Sequence, residues 1–242
     1  MTTPEQCPWS EDKICWECRT GTRIAEYLYP KPHRVIFDVA ECFHEQRFRV
    51  LYRRSGLTPA DTNRTFENAV RDQYNREVIS ALENWTGPEG IYIYSPPTKG
   101  NPGGNGVGKT FSLIALCNRL LHELRPVRFC TGIEILDWYR QCIDDVDPYA
   151  EEDLNQRLLE PDIIAWDDIG KEYIASDWAL EKFFYLIDGR LRLGKPFAFT
   201  SNYKPMELEH KFGHAYGSAI ASRIQGACRL LVLEGPDRRL KQ

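Results

Sequence analysis

The chain has 242 residues, which fits one domain of ordinary size or one domain with a small added module. Its hydrophobic content of 42% and charged content of 27% are typical of a soluble globular protein. A net charge of −4 excludes a surface that is basic all over, so nucleic acid would have to bind a local patch. Since it shows neither an apolar run of roughly 20 residues nor a secretory signal, we expect a cytoplasmic protein with no membrane partner.

The first 45 residues contain four of the eight cysteines, which in the cytoplasm indicate metal binding or buried thiols before disulfides. A C-x-x-C pair and a later C-x-H pair predict a closed zinc site with the ligands Cys15, Cys18, Cys42 and His44. This segment has few large aliphatic residues and would need the Zn²⁺ in order to fold. Cys7 or His33 can substitute for His44. Scattered reduced thiols and a redox C-x-x-C are the alternative interpretations.

Three features follow this segment before the first predicted strand. Residues 46–54 predict a short basic helix, which would contact a phosphate backbone or an acidic partner, or form a solvated helix face. The turn residues 55–59 indicate a domain boundary. A helix with apolar residues on one face is predicted from residues 65–68 to about Trp85, and Gly87-Pro88 ends it.

A phosphate-binding loop (P-loop) motif lies near the middle of the chain. Its residues fit G-x-x-x-x-G-K-[ST] and are Gly103, Gly104, Asn105, Gly106, Val107, Gly108, Lys109 and Thr110. The glycines let backbone N–H groups surround a phosphate, Lys109 would reach the β- and γ-phosphates, and Thr110 would bind Mg²⁺. An apolar strand before the loop and a leucine-rich helix after it favour this interpretation over a chance match. The lead-in at residues 95–102 is longer than usual and predicts an outward bulge.

Strands and helices alternate from this point to the C-terminus. The predicted strands are residues 91–94, 127–130, 163–166, 197–200 and 230–233, and the predicted helices are 111–124, 133–143 and 178–193. This alternation predicts an α/β fold with a five-stranded parallel sheet between helices.

Two carboxylates directly follow the third predicted strand, the pattern known as Walker B. Asp167 would hold, together with Thr110, the Mg²⁺ of a bound nucleotide, and Asp168 would orient or deprotonate the attacking water. A plain boundary between strand and loop is the alternative, and the P-loop upstream argues against it.

Two single residues complete the candidate site. Asn202 follows the fourth predicted strand, where it would hydrogen-bond the γ-phosphate or the attacking water, or simply form a turn. Arg223 has the right chemistry for a charged transition state, although it could also pair with a local acid such as Glu234.

Taken together, the motifs resemble those of bacterial and phage replicative helicase loaders of the DnaC/DnaI type, which are AAA+ ATPases related to the initiator DnaA. The matching stretches are Cys15-x-x-Cys18 with Cys42-x-His44, Arg54 to Leu57, Thr65 to Asn68, the P-loop, Trp166 to Gly170, Thr200 to Tyr203, Ser222 to Ile224, and Gly235 to Arg239. The ordered set covers nearly the whole chain and is more specific than any one member.

The resemblance implies residue roles and a domain plan. It implies that Asn202 is sensor 1, that Arg223 is the arginine finger given to a neighbouring subunit, that Arg239 is a second sensor, and that Phe66 lies near the nucleotide base. A zinc module at residues 1–55 would bind the helicase, residues 56–86 would form a linker and helix, and residues 87–242 would form the AAA+ domain.

The function implied is ATP-dependent loading of a DnaB-type replicative helicase onto DNA, with slow, switch-like hydrolysis of ATP at subunit interfaces. ATP, Mg²⁺ and Zn²⁺ are the expected cofactors, and the helicase, single-stranded DNA and further copies of the chain are the expected partners. Residues 134–160 depart from the family pattern. They include nine acidic residues and only two basic ones, Arg140 and Arg157, so this segment should repel phosphate. The alternatives are an IstB-type transposition-regulator ATPase and a small-molecule kinase.

Overall fold

The computed structural model describes residues 43–171 and 177–240, and the chain divides into two compact units between Arg54 and Ser55. In the first unit the described element is helix α1, Phe43–Arg54, so the predicted basic helix begins at Phe43 rather than at Gln46. Five of the six residues considered as zinc ligands lie outside the described residues, namely Cys7, Cys15, Cys18, His33 and Cys42. For His44 only the backbone is described, in the first turn of α1.

The second unit is organised around a sheet of five parallel strands. The strands are β1 (Gly90–Tyr94), β2 (Val127–Thr131), β3 (Ile163–Asp167), β4 (Phe197–Ser201) and β5 (Cys228–Val232), and their order in the sheet is β2-β3-β4-β1-β5. The predicted parallel sheet is therefore confirmed. The last strand begins at Cys228, two residues before the predicted start at Leu230.

One helix of this unit precedes β1, and the others lie between successive strands. They are α2 (Arg76–Glu83), α3 (Lys109–His122), α4 (Gly132–Ile143), α5 (Ala150–Leu159), α6 (Asp177–Arg192), α7 (Glu207–Phe212) and α8 (His214–Ala227). The predicted helices at 111–124, 133–143 and 178–193 correspond to α3, α4 and α6. Within the described parts of the chain, no helix is both long and apolar enough to cross a bilayer.

Strands β1, β3 and β4 are buried at every position, as expected for inner strands of a parallel sheet that is covered on both faces. Trp166 of β3 packs edge-on against Phe183 of α6, with ring centroids 4.6 Å apart. The fully buried Arg190 of α6 donates hydrogen bonds of 3.0 Å to the Leu158 and Pro161 carbonyls. This packing fixes β3 relative to the helices, and with it Asp167 at its end and Asp168 directly after it.

The predicted helix from residues 65–68 to Trp85 is wrong in its first half, because α2 begins only at Arg76. The Asp72 carboxylate accepts the N–H groups of Tyr74 at 2.9 Å and Asn75 at 3.2 Å, and the Asn75 side-chain amide donates to the Val70 carbonyl at 2.7 Å. Such side-chain bonds give the backbone an alternative to helical hydrogen bonding. The apolar spacing predicted one helix, but these bonds hold residues 70–75 in a non-helical conformation that ends in a turn at residues 73–75.

Candidate nucleotide-binding site

The P-loop connects β1 to α3, which begins at Lys109. Gly104, Gly106 and Gly108 have positive φ angles of 59°, 68° and 108°, a conformation that glycine adopts without steric cost. At Gly106 space imposes a second requirement, because a Cβ atom there would lie 1.7 Å from a carboxylate oxygen of Asp237. The glycines thus stand where the backbone must turn to reach the N-terminus of α3, which favours anions.

Lys109 is buried, with 6% of its surface exposed. Its Nζ donates to the Gly104 carbonyl at 2.9 Å and to Asn202 Oδ1 at 2.5 Å. Burial lowers the pKa of this ammonium to about 8, and the negative charge of Asp168 opposes the shift. Lys109 is therefore mostly charged at neutral pH and is held against the loop.

The Asp167 carboxylate, at the end of β3, accepts hydrogen bonds from two hydroxyl groups. Thr110 donates to its two oxygens at 2.9 and 3.1 Å, and Thr200 donates at 2.5 Å. Burial raises the pKa of Asp167, while the hydrogen bond from Thr200 acts in the opposite direction.

The Thr110 hydroxyl and the Asp167 carboxylate are oxygen ligands of the kind that Mg²⁺ prefers, and a cation there would offset the cost of burying the carboxylate. The residues present therefore fit Mg²⁺. Among the residues that the structure describes, no group of three or more His, Cys, Asp or Glu side chains is placed to hold a metal. An ion at Asp167 would thus take further ligands from phosphate and water, as Mg²⁺ commonly does.

Asp168 adopts a left-handed backbone conformation with φ of 58°, which is uncommon for a residue other than glycine. Its N–H donates to Thr200 Oγ1 at 2.8 Å, and its carboxylate accepts a bond of 2.7 Å from Lys171. Thr200 therefore links the two acids, because the same hydroxyl donates to Asp167. Sequence reasoning missed Lys171, and its position three residues after Asp168 is the signal that could have identified it.

Asn202 comes directly after β4, which lies between β1 and β3 in the sheet. Its Oδ1 accepts the Lys109 bond, and its Nδ2 donates to Asn105 Oδ1 at 3.0 Å. Strand order explains this position, since the carboxyl ends of parallel strands share one edge of the sheet. The structure thus brings Asn202 to the P-loop.

A cavity of about 510 Å³ lies beside these residues. Its walls are the P-loop from Asn105 onward with Asp168 and Lys171, residues from the segment 64–79, and Arg238 with Arg239. Phe66 is buried at 7% exposure and is not among the lining residues, whereas Asn68 and Val70 of the same segment are.

The extended lead-in to the P-loop folds as a turn closed by a bridge between Thr98 and Asn101. Its tip at Lys99 and Gly100 is exposed, as the predicted bulge requires. Asn101 instead is buried and donates from its side-chain amide to the Asn105 carbonyl at 2.7 Å. One end of the lead-in therefore supports the P-loop.

Arg223 lies away from the cavity, on α8. Its Nε donates to Asp188 of α6 at 2.8 Å, and its guanidinium lies 4.4 Å from the centre of the Phe184 ring. The local acid it pairs with is thus Asp188, not the Glu234 that the sequence suggested.

The two arginines near the C-terminus differ in their contacts. Arg239 lines the cavity and forms a bidentate pair with Asp237, at 3.0 and 2.9 Å. Arg238, which the sequence did not single out, binds the P-loop through the Val107 carbonyl at 3.0 Å.

Comparison with known proteins gave both sequence and structural relatives, while no protein-family model matches the chain. The chain is 28% identical over 159 residues to the replicative helicase loader DnaI of Bacillus subtilis (strain 168), a match that covers 62% of this chain and 48% of DnaI. It therefore spans about half the length of that relative.

Among solved structures, AMPPCP-bound DnaA from Aquifex aeolicus matches with a TM-score of 0.58 and 21% identity, covering 74% of this chain and 51% of DnaA. A crystal structure of DnaI matches with a TM-score of 0.57 and 18% identity, over 76% of this chain and 94% of that one. The DnaC helicase loader matches with a TM-score of 0.56 and 20% identity, over 73% and 99%. The chain therefore shares its fold with DnaA, DnaI and DnaC, and its sequence is similar to that of a replicative helicase loader.

Proposed function

We propose that the chain is an ATP-dependent loader that places a DnaB-type replicative helicase on DNA. The observation that carries the proposal is a nucleotide site in which Lys109, Asn202 and Asp167 meet at the P-loop, in a chain similar in sequence to DnaI. The fold alone would fit many P-loop functions. The similarity to a helicase loader is what favours this function over the others.

The proposed site binds ATP through residues Gly103 to Thr110. Lys109 contributes positive charge to the β- and γ-phosphates, and Arg239 contributes it from the cavity wall. Thr110 and Asp167 would hold Mg²⁺, which supplies neutralisation of the charge on the phosphate oxygens.

For hydrolysis, Asp168 orients or deprotonates the attacking water, and its pair with Lys171 fixes the direction of the carboxylate. Asn202 senses the γ-phosphate, because the amide that binds Lys109 and Asn105 is already at the loop. We expect slow, switch-like turnover in the isolated chain, since such ATPases are slow without an arginine finger in cis.

The arginine finger proposed is Arg223, acting on the site of a neighbouring copy. Its contacts are on α6 and α8, and among the described residues that line the cavity none belongs to either helix. Its side chain is 34% exposed, so a partner can reach it once the bond to Asp188 is released. ATP would then be bound at the interface between two copies.

Residues 1–55 are proposed to form a zinc module that binds the helicase, with Cys15, Cys18, Cys42 and His44 as the ligands. The support is the spacing of the ligands in the sequence.

Single-stranded DNA is proposed as a further partner of the chain. Helices α4 and α5 belong to the acidic stretch 134–160, which should repel phosphate, so DNA would have to contact other surfaces.

Affinity capture with the cognate DnaB-type helicase is the experiment that tests this function. The chain is expected to retain the helicase, with Mg²⁺ and ATP present, and residues 1–55 should be required. An IstB-type transposition regulator would instead bind duplex DNA and would not bind the helicase. A small-molecule kinase would do neither, and either result would overturn the proposal.

A further inference from the structure

The segment 235–239, near the C-terminus of the chain, contacts the P-loop. The backbone N–H of Arg238 donates to the Gly106 carbonyl at 3.0 Å, and its side-chain Nε donates to the Val107 carbonyl at 3.0 Å. The same guanidinium donates through Nη2 to Asp72 at 2.6 Å. One arginine therefore ties two successive P-loop carbonyls to an acidic residue of the segment 70–75.

These contacts are part of a set of hydrogen bonds to three successive carbonyls of the P-loop. The Asn101 side chain donates to the Asn105 carbonyl at 2.7 Å, so the carbonyls of residues 105, 106 and 107 are all held by groups outside the P-loop. Asn101 also donates to the Gly235 carbonyl at 3.2 Å, which joins the lead-in to the C-terminal segment.

Holding these carbonyls also sets the direction of the N–H groups. In a trans peptide unit the C=O and the following N–H point in opposite directions. Fixing the carbonyls of residues 105, 106 and 107 therefore turns the N–H groups of Gly106, Val107 and Gly108 away from Asn101 and Arg238. Those N–H groups are the ones that a P-loop uses to surround phosphate.

We propose that Arg238 is a positioning residue of the ATP site, which presets the P-loop N–H groups for phosphate by holding their carbonyls and is itself oriented by Asp72. The inference rests on the proposed ATP site and adds to it a residue that acts through the loop.

The Asp72 side of the pair is itself fixed. Its carboxylate accepts the N–H groups of Tyr74 and Asn75, while its other oxygen accepts from Arg238. Burial pushes the pKa of Asp72 upward, but the bonds from Tyr74 and Arg238 outweigh it and hold the pKa below its usual range. Asp72 is thus charged at neutral pH.

The test measures the affinity of the full chain for a fluorescent ATP analogue with Mg²⁺. Arg238→Ala is expected to weaken binding about tenfold or more, and Asp72→Asn to weaken it less, since hydrogen bonds to charged groups are lost. Arg238→Lys should be intermediate, because one ammonium cannot reproduce the planar fork. The matched control Arg140→Ala breaks an exposed pair with Asp137 and should bind like the wild type.

A purely structural role would instead lower the unfolding midpoint of the nucleotide-free protein, which we expect to change little in Asp72→Asn and Arg238→Lys. If the wild type binds the analogue and both Arg238→Ala and Asp72→Asn bind it equally well, the inference is overturned while the ATP site stands. If Arg238→Ala does not fold, unchanged affinity in Asp72→Asn is sufficient to overturn it. If the wild type binds no nucleotide, the proposed function fails and the inference fails with it.

Discussion

Thr200 controls the geometry of both acids in the site. Its hydroxyl donates to Asp167 and accepts the N–H of Asp168, so one side chain fixes the proposed Mg²⁺ ligand and the left-handed turn after it. A hydroxyl can do both because it has one donor and two acceptor positions. Thr200 therefore contacts both acidic residues, one through its carboxylate and the other through its backbone N–H.

Lys109 gives the site a dependence on pH. Burial lowers its pKa to about 8, whereas bound phosphate favours the charged form, so binding of ATP should take up a proton near that pH. We expect affinity for Mg-ATP to fall as the pH rises from about 7 to about 9. Calorimetric titrations in two buffers of different ionisation enthalpy would measure the proton uptake.

The control is Lys109→Arg, which stays charged over this range and should show no proton uptake if it binds. Unfolding would not explain a loss of affinity at high pH, because the contribution of Lys109 to the stability of the fold increases as the pH rises. The unfolded lysine binds more protons above about pH 8, so this residue makes the nucleotide-free fold more stable as pH rises. An affinity independent of pH would contradict the assigned environment of Lys109.

Asp168 can be separated from nucleotide binding. Asp168→Asn tolerates the positive φ and keeps the side-chain volume but removes the basic oxygen. We expect near-normal ATP affinity with hydrolysis reduced by about 10²-fold or more. Asp162→Ala, which removes a carboxylate at the opposite end of β3, should hydrolyse ATP normally. Normal hydrolysis in Asp168→Asn would remove Asp168 from the proposed mechanism.

At the scale of elements, the sequence predicted the strands well because β1, β3 and β4 are buried on both faces and read as uninterrupted apolar runs. It misplaced the start of α2, because the side chains of Asp72 and Asn75 compete with helical hydrogen bonds. Apolar spacing carries no information about that competition.

The motifs that predicted the site are local in sequence, and strand order brings them together. The supporting residues could not be found in this way. Asn101 and Arg238 contact the carbonyls of the P-loop, although the sequence assigned no role to either residue. Thr200 was visible only as the residue before Ser201-Asn202, although it links both acids.

The folding of the proposed N-terminal module should depend on bound Zn²⁺. Stoichiometric metal analysis of the purified chain is expected to give one Zn²⁺, bound by Cys15, Cys18, Cys42 and His44. Chelation should unfold residues 1–45 and abolish helicase binding, while ATP binding by the second unit persists. Protein purified without zinc that still binds helicase would refute the module.

At the scale of the whole molecule, the separation of Arg223 from the cavity predicts a site completed by two copies. Arg223→Ala and Lys109→Ala should each lack ATPase activity and should regain part of it when mixed. A mixed interface can pair an intact P-loop with an intact Arg223, and fingers are worth about 10³–10⁵ in rate. Arg192→Ala is the matched control, since Arg192 pairs with the same Asp188 and is largely exposed. Mixing without recovery, where the wild type assembles, would mean that the finger lies elsewhere.

The proposed function is that this chain uses ATP to place a helicase ring on DNA. The direct measurement is loading of the cognate DnaB-type helicase onto closed circular single-stranded DNA, scored by the helicase retained on the circle after a high-salt wash. We predict efficient loading with wild-type chain and Mg-ATP, and only background loading with Lys109→Ala or without ATP. Equal loading by wild type and Lys109→Ala would contradict the account, as would a helicase that loads no better with the chain than without it.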